Sequence, residues 1–328
     1  MQDDQRLIDL QQWLRDDLGI AFEKIESASG DASFRRYFRI DHDSESLIIM
    51  DAPPEKEDCV PFINIANALA EVGINVPRVL QQNLEQGYLL LSDLGTVQYL
   101  EQLNSETVDR LYSDAFDVLL LMHTASDNHA HLSPYDQALL IREMELMREW
   151  YVEKNLNVDL IDKQHAVLDE TFELLAQSAL AQPQVLVHRD YHSRNLMVVE
   201  KDNPGVLDFQ DAVIGAITYD LVSLLKDCYI KWPREQVLDW VRGYHQRLLK
   251  HGAIDDVSDA QFIKWFDLMG VQRHLKVLGI FSRLNIRDGK SGYLKDIPLT
   301  LAYVVEVCGL YDELEPLGLL LAEVVPVG

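Results

Sequence analysis

Apolar residues recur along this chain at two periods, which divide it into short strands and longer helices. Leu7, Leu10, Leu14 and Leu18 share one face of a helix predicted over residues 5–18, and Gly19 follows where that helix would end. The same period predicts a largely helical stretch over residues 96–182. Helices are also predicted over residues 58–72, 160–180, 235–249, 259–284 and 293–308.

Alternating and β-branched runs predict strands mainly in the first 91 residues. These strands are expected at residues 21–26, 34–40, 46–51, 79–80 and 88–91, with a turn-rich loop over residues 27–33. Together with the helical remainder, they indicate an α+β protein. Its N-terminal part is expected to be small and rich in β-structure, and its C-terminal part larger and mostly helical.

A second group of short apolar runs lies within residues 185–207. The polar loop 188–195 follows the first run, and residues 201–205 suit a turn between the second run and the third. If the hairpin folds about that turn, residues whose numbers sum to about 404 lie opposite each other. This register places Asn195 beside Asp208.

Asp190, Asn195 and Asp208 bring oxygen donors to this hairpin and to the loop before it. An amide oxygen beside a carboxylate forms a hard-oxygen site that suits Mg²⁺. In phosphoryl transfer, one Asp orients the acceptor hydroxyl, whereas an Asn and a second Asp hold the metal ions. The alternative is an ordinary hairpin in which Asp190 caps a turn and Asp208 is solvated.

The composition excludes several classes of protein. With 328 residues, 48% of them hydrophobic and 25% charged, the chain is long enough for two packed lobes and too apolar for wholesale disorder. The net charge of -25 argues against nucleic acid or an anionic membrane as the main partner. Any anionic ligand must therefore meet a local concentration of basic side chains.

The termini and cysteines indicate the compartment. The N-terminal segment is acidic and amphipathic without a signal-peptide core, and no apolar run reaches transmembrane length. Cys59, Cys228 and Cys308 are far apart and odd in number, which favours buried thiols over a zinc site or a disulfide framework. A soluble cytoplasmic protein is expected.

The order of the polar residues in the hairpin resembles a known family. His188-x-Asp190 with Asn195, followed by Leu207-Asp208-Phe209, is similar to the catalytic loop and metal motif of the aminoglycoside phosphotransferase and choline kinase family. The resemblance implies a protein-kinase-like, two-lobed fold. Its N-lobe would cover residues 1–91, its hinge residues 92–95, and its C-lobe residues 96–328.

The same resemblance implies the reaction and its cofactors. ATP would phosphorylate a small-molecule hydroxyl with the help of Mg²⁺. Asp190 would orient the hydroxyl and accept its proton, and Asn195 and Asp208 would hold the metal. His188 and Asp220 would be structural, with Asp220 bracing the catalytic loop. The roles of Gln210 and Asp211 stay open.

On the nucleotide side, the resemblance assigns backbone contacts and reveals one departure. The loop with Gly30 and Ser33 would cover the phosphates, and the backbone of Ser92 and Leu94 would meet the adenine edge. Where the family has a phosphate-binding lysine on the third strand, this chain has Met50. We expect an arginine of the second strand to replace that lysine, because guanidinium binds phosphate well. The candidates are Arg35, Arg36 and Arg39.

Longer runs, among them GDASFRRYFR and HRDYHSRNLM, resemble one bacterial subgroup over nearly the whole chain. Its members phosphorylate the anomeric (C1) hydroxyl of N-acetylmuramate and N-acetylglucosamine in peptidoglycan recycling. Residues 261–295 carry seven basic and two acidic side chains, so this stretch could contact the lactyl carboxylate of N-acetylmuramate; alternatively it pairs with acidic neighbours or is solvated. The expected sugar contacts are Arg194, Gln272, Arg273, His274 and Arg283.

Two other functions are compatible with the sequence. One is a kinase for a different acceptor, such as an aminoglycoside, choline or homoserine, although the basic stretch disfavours a cationic acceptor. The other is a nucleotide-binding pseudokinase, which Met50 favours and the intact Asp190 disfavours. The expected partner is a small amino sugar, with neither nucleic acid nor membrane. The oligomeric state stays open, with a monomer as the expectation.

Overall fold

The computed structural model describes residues 4–29, 34–125 and 132–325, which pack into two compact units. One unit comprises Met1–Asp114 and Asn195–Gln210, and the other Ala115–Arg194 and Asp211–Gly328. Each of these units combines two separate segments of the chain that pack together, whereas each predicted lobe is one continuous segment. The lobe boundaries with a hinge at residues 92–95 therefore stay a prediction.

The first unit is built on a five-stranded antiparallel sheet. Its strands are β1 (Glu26–Ser29), β2 (Arg36–His42), β3 (Glu45–Asp51), β4 (Val79–Asn83) and β5 (Tyr88–Ser92), in the order β1-β2-β3-β5-β4. Tyr37 lies opposite Met50, and Arg36 lies opposite Asp51. Because side chains alternate along a strand, these two pairs point to opposite faces of the sheet.

One face of this sheet is covered by α1 (Gln5–Gln12), which continues as a π-helical turn over Trp13–Asp17. Asp4 caps the helix by accepting the Leu7 N–H. Residues of this helix are buried in a core that it forms with the sheet, and burial of one helix face is why the leucine spacing could predict it. That core consists of Leu10, Trp13, Leu14, Ile20, Ile40, Leu47, Ile49, Tyr88 and Leu90.

The strand predicted at residues 21–26 is wrong for most of its length. Pairing with β2 begins only at Glu26, which lies opposite Arg39. Phe22 and Ile25, whose apolar character suggested the strand, are partly buried against the core of this sheet. The segment therefore contributes packing without strand hydrogen bonds, and propensity alone could not separate the two.

The remaining elements of the first unit are α2 (Cys59–Glu71), α3 (Tyr99–Gln102), β7 (Leu196–Met197) and β8 (Gly205–Val206). Helix α2 matches its predicted bounds within one residue and begins at the Asp58 cap. The hairpin β7–β8 is confirmed, but its register differs from the predicted one, since Leu196 pairs with Val206 and Met197 with Gly205. Asn195 therefore lies opposite Leu207, whose N–H donates to the Asn195 carbonyl at 2.9 Å.

The second unit is helical apart from one small sheet. Helix α4 (Val108–Thr124) begins in the first unit and ends in the second. The other elements are α5 (Gln137–Leu146) with a π-helical continuation over Met147–Asn155, α6 (Asp162–Leu180), β6 (Gln184–Val187), β9 (Val213–Ala216), α7 (Tyr219–Leu225), α8 (Arg234–Lys250), α9 (Asp259–Asp288), α10 (Ile297–Cys308) and α11 (Glu315–Val324). Strands β6 and β9 pair antiparallel. Most predicted helices are confirmed, with shifted ends.

Helix α9 is the centre of the second unit. It packs against α5, α6, α7, α8 and α10, and every residue from Phe266 to Gly279 is buried. A helix buried on all sides is the central element of its domain. Gly279 allows the closest approach, because a Cβ there would lie 2.3 Å from the backbone carbon of Leu146. Throughout the described ranges, no helix is long and apolar enough to cross a membrane.

Candidate active site

The loop that carries Asp190 is held through its backbone. Asp220, on α7, accepts the N–H of His188 at 2.6 Å and that of Arg189 at 3.0 Å. Burial raises the pKa of Asp220 to about 7, against the opposing effect of these two donors and of Arg273. Arg189 has a φ of 76°, in the left-handed region that side chains such as arginine rarely adopt. Such backbone geometry persists only where surrounding contacts enforce it.

Asp190 is an ionised carboxylate at neutral pH. Its side chain is 40% exposed, and one of its oxygens lies 3.6 Å from Nη2 of Arg273. Burial opposes the charged form, but Lys276 and Arg273 outweigh burial and lower the pKa of Asp190 below its ordinary value. A carboxylate that stays ionised accepts hydrogen bonds only, which suits the orientation of a hydroxyl.

A cavity of about 140 Å³ adjoins Asp190 within the second unit. Its polar wall includes His192, Asp227, Arg273 and Lys276, and an apolar wall comes from α9 and its neighbours. The apolar lining is formed by Val277, Ile280, Phe281 and Leu284 together with Tyr293. A cavity with one charged and one apolar wall fits a ligand that combines polar and apolar groups.

The predicted sugar contacts divide between this cavity and other places. Arg273 lines the cavity and donates to the Arg189 carbonyl at 2.6 Å. Arg194 stacks on Tyr229, a cavity residue, with its guanidinium 3.5 Å from the ring centroid. The remaining three residues, although all are within the described chain, do not line the cavity. They are Gln272, His274 and Arg283.

His274 shows why residues that the sequence predicted as sugar contacts lie elsewhere in the structure. It bonds the Lys226 carbonyl at 2.9 Å and stacks on Tyr303 in the core, and burial lowers its pKa to about 3. Gln272 is fully buried on the same helix. Because α9 is buried all round, polar residues on it do not mark the face that meets the cavity. Their assignment as sugar contacts stays a prediction without support from this geometry.

Sequence reasoning missed residues of the second unit that reach the loop from distant positions. Glu143 on α5 forms an ion pair with Arg189, and its other oxygen lies 3.2 Å from Nζ of Lys276. Asp227 accepts the Ser193 N–H at 3.0 Å within the loop. The only feature of the sequence that pointed to Lys276 was its place in the basic stretch 261–295. Nothing in the sequence singled out Glu143.

The candidate metal ligands lie side by side on the hairpin, as the interpretation of the turn required. Nδ2 of Asn195 lies 3.3 Å from one oxygen of Asp208, and Gln210 donates to the other at 2.7 Å. Phe209 packs against Phe62 of α2 with the two rings tilted and their centroids 4.9 Å apart, which fixes the end of the hairpin.

This donor set fits Mg²⁺ as a partly protein-bound ion. Asn195 and Asp208 supply hard oxygen atoms, and Mg²⁺ usually takes one or two carboxylates while water and phosphate complete its shell. No group of three or more His, Cys, Asp or Glu side chains in the described ranges could hold a metal by itself. The two residues therefore match a metal that is shared with a ligand.

The three candidate arginines of the N-terminal sheet have different partners. Arg35 forms an ion pair with Glu57 at 2.9 Å, next to the start of α2. Arg36 binds Asp51 and Asp4 on the side of the sheet covered by α1. Arg39 donates to the Asp93 carboxylate through Nε and Nη2, and Nη2 also donates to the Gly95 carbonyl. Met50 is fully buried.

Of the predicted nucleotide-binding segments, the structure describes the hinge but only part of the phosphate loop. The Ser92 N–H donates to the Arg78 carbonyl at 3.0 Å, so an adenine contact by Ser92 would need its carbonyl oxygen. The Leu94 side chain packs on Gly205, where a Cβ would lie 2.9 Å from Cδ1 of Leu94. Gly30 and Ser33 lie outside the described residues.

Known proteins resemble this chain in sequence over nearly its whole length. Residues 24–255 match the model of the phosphotransferase enzyme family. A protein of Pseudomonas putida named N-acetylmuramate/N-acetylglucosamine kinase is 47% identical, with 98% of this chain and 97% of that protein covered. A Neisseria meningitidis protein of the same name is 42% identical, with 98% and 96% covered.

Solved structures share the fold at low sequence identity. Spectinomycin phosphotransferase in complex with ADP and spectinomycin has a TM-score of 0.64 at 15% identity, covering 91% of this chain and 98% of that chain. A choline kinase from Streptococcus pneumoniae has a TM-score of 0.63 at 12% identity, covering 92% and 99%. These similarities establish a protein-kinase-like fold with a β-sheet N-terminal region and a helical C-terminal region.

Proposed function

Because this chain belongs to the phosphotransferase enzyme family, we propose that it is an ATP-dependent kinase for the anomeric hydroxyl of N-acetylmuramate and N-acetylglucosamine. The observation that carries the proposal is the full-length similarity, at 42% and 47% identity, to two proteins named as kinases of these sugars. The cavity beside Asp190 supports it, since it offers cationic and apolar walls to one ligand.

Asp190 orients the sugar hydroxyl in this proposal. The hydroxyl oxygen attacks the γ-phosphorus of ATP, the bond from that phosphorus to the β-phosphate oxygen breaks, and the hydroxyl proton passes to Asp190. Because Lys276 and Arg273 lower its pKa, Asp190 is a weak base that accepts the proton late. That suits a loose transition state, in which little help from a base is needed.

Asn195 and Asp208 would hold Mg²⁺, and the Gln210 amide would keep the Asp208 carboxylate oriented. The ion would neutralise charge on the transferred phosphoryl group when bound. The loop with Gly30 and Ser33 would cover the nucleotide phosphates, while backbone groups of Ser92 and Leu94 would contact adenine.

Of the three arginines, Arg35 is best placed to replace the family's lysine, whose position is occupied by Met50 in this chain. In protein kinases the phosphate-binding lysine of the third strand pairs with a glutamate of the following helix. Arg35 pairs with Glu57, next to α2, on the side of the sheet away from α1. This ion pair would hold a cation where the family pattern requires one.

Arg273 is the preferred contact for the lactyl carboxylate of N-acetylmuramate, since it lines the cavity and stays charged: burial lowers the pKa of its guanidinium, but Tyr219 and Asp190 outweigh burial and raise that pKa. The Arg194 guanidinium at Tyr229 would border the same ligand. An Arg273 variant that loses turnover of both sugars equally would contradict the carboxylate contact. We further propose that the enzyme acts in the cytoplasm, where ATP is available.

The proposal is tested by ATP consumption with N-acetylmuramate, N-acetylglucosamine, glucose, choline and kanamycin, compared between wild type and Asp190→Asn. We expect turnover of the two N-acetyl sugars and a loss of at least about 100-fold in the variant. Circular dichroism and the melting temperature confirm that both proteins are folded.

The other outcomes distinguish the alternatives. Turnover of choline or kanamycin alone would leave the kinase reaction standing and refute the sugar. ATP binding without turnover of any acceptor would favour a pseudokinase, for which Met50 is the specific observation. Equal turnover by wild type and Asp190→Asn would refute the role of Asp190.

A further inference from the structure

We propose that Arg39 and Asp93 form a positioning pair that holds the predicted hinge, residues 92–95, in the conformation that contacts the adenine base. The inference rests on the proposed function, because it concerns the base contacts of Ser92 and Leu94. It also gives Arg39 a role other than the phosphate contact considered from the sequence. All of these residues belong to the first unit.

Asp93 is the centre of a hydrogen-bond network around the hinge. One of its oxygens accepts hydrogen bonds from Nε of Arg39 at 2.5 Å and from the Ser46 hydroxyl at 2.6 Å. The other accepts from Nη2 of Arg39 at 3.0 Å and from the Gly95 N–H at 2.9 Å. Burial of Asp93, whose side chain is 6% exposed, opposes the charged form, but these donors outweigh burial and lower the pKa of Asp93. The carboxylate therefore stays ionised and oriented.

The network joins the hinge to two strands of the sheet. Arg39 lies on β2 and Ser46 on β3, so Asp93 is anchored to ordered backbone. Nη2 of Arg39 also donates to the Gly95 carbonyl at 2.9 Å. The guanidinium thus bonds both the side chain of Asp93 and the backbone two residues later. A planar guanidinium that makes two bonds to one carboxylate fixes direction as well as distance.

The backbone of the hinge keeps a donor and an acceptor for a base. Within the ranges that the structure describes, the Leu94 N–H has no hydrogen-bond acceptor. Ser92 accepts the Arg78 N–H at 2.8 Å with its hydroxyl and not with its carbonyl oxygen. Adenine presents an amino group beside N1, a donor next to an acceptor, on its Watson–Crick edge. The Ser92 carbonyl and the Leu94 N–H complement that pair.

A hinge that is already ordered binds the base more tightly than one that must be ordered by it. Ordering a loop on binding costs conformational entropy, which is subtracted from the affinity. The Leu94 side chain packs on Gly205, whereas its backbone is oriented by the bonds of Asp93. Without Arg39, Asp93 would lose its attachment to β2. The expected result is a weaker contact with the base and not a lost contact with phosphate.

The test compares two nucleotides that differ at one atom of the base. 1-Deaza-ATP has a C–H group in place of N1, so it cannot accept the Leu94 N–H. Calorimetric titration with the Mg²⁺ complexes of ATP and 1-deaza-ATP gives the preference for ATP. We expect wild type to prefer ATP about tenfold and Arg39→Ala to prefer it about threefold or less. Because both nucleotides are titrated into one preparation, a loss of folded protein cancels from the ratio.

Two further variants separate positioning from stability. Arg39→Lys keeps the charge without the paired bonds, so its preference for ATP should lie between those of wild type and Arg39→Ala. Arg36→Ala is the matched control, because Arg36 is on the same strand and also binds a buried carboxylate, that of Asp51. It should lower the melting temperature and keep the wild-type preference for ATP.

The outcomes distinguish this inference from the proposed function. A wild-type preference for ATP that is retained in Arg39→Ala would overturn the inference alone. A wild type that binds both nucleotides equally would overturn the contact of Leu94 with the base, and the positioning pair with it. The expected preferences, in a wild type that phosphorylates neither sugar, would refute the proposed acceptor and leave the positioning pair standing.

Discussion

A guanidinium can replace an ammonium at a phosphate only if the sheet presents it on the correct face. Met50 lies opposite Tyr37, so the face that carries Met50 also carries Arg39 and, by alternation, Arg35. Arg36 lies opposite Asp51 and binds it on the other face. Arg35 and Arg36, although adjacent in sequence, therefore lie on opposite faces of the sheet and bind different partners.

Arg35→Ala should weaken ATP binding about tenfold or more, because it removes a charged hydrogen-bond donor. Arg36→Ala should instead lower the free energy of unfolding by about 1–3 kcal/mol, because it removes one partner of the buried Asp51, while ATP affinity stays within about twofold. Calorimetric titration and urea unfolding measure the two effects. The reverse assignment, with ATP affinity lost only in Arg36→Ala, would contradict this division.

The residues that sequence could identify are those close together in the chain. Asp190, Asn195 and Asp208 lie within one loop and hairpin, so their spacing alone placed the amide beside the carboxylate. Glu143 and Lys276 meet only because α5 and α9 pack together, and no local pattern encodes that contact. Tertiary partners of this kind require the fold.

At the scale of elements, the fold depends on how closely α9 approaches its neighbours. The apolar period predicted this helix over residues 259–284, and it extends to Asp288, where Gly289 ends it in the left-handed conformation. Periodicity could not show which face meets the cavity, because the middle of the helix, residues 266–279, is buried on every side. Arg283, which lies beyond that stretch, was predicted at the sugar, and Lys276, which lies within it, was not.

Gly279→Ala should destabilise the protein by about 1–3 kcal/mol, because its Cβ would collide with the backbone of Leu146. Gly243→Ala is the matched control within α8, where nothing lies within 4 Å of the added Cβ. It should stabilise the protein by about 0.5–1 kcal/mol, as alanine does in helix interiors. Urea unfolding of both variants decides, and equal effects would show that α9 yields at this contact.

For the whole molecule, the net charge of -25 opposes the approach of an anionic substrate. Arg273 and Lys276 attract such a substrate only at short range, whereas the overall field extends about 30 Å in dilute salt. The charge distribution therefore favours a neutral sugar over an anionic one when salt is low. The composition alone supported this conclusion, but the positions of the two cations required the structure.

Raising the ionic strength from about 10 mM to about 150 mM should increase kcat/KM for N-acetylmuramate about two- to threefold relative to N-acetylglucosamine. The neutral sugar controls for effects of salt on ATP and on the protein itself. A ratio that falls with salt would mean that the local cations outweigh the overall charge.

The division of the chain into packing units has a consequence for its synthesis. The unit that carries Asn195 and Asp208 is assembled from residues 1–114 and 195–210, with eighty residues of the other unit between them in the sequence. While the chain emerges from the ribosome, Leu94 must wait for Gly205 before it finds its packing partner. The first unit to begin folding therefore cannot finish before residues 115–194 of the helical unit have been translated, and the apolar surface that residues 195–210 will cover stays exposed during that interval.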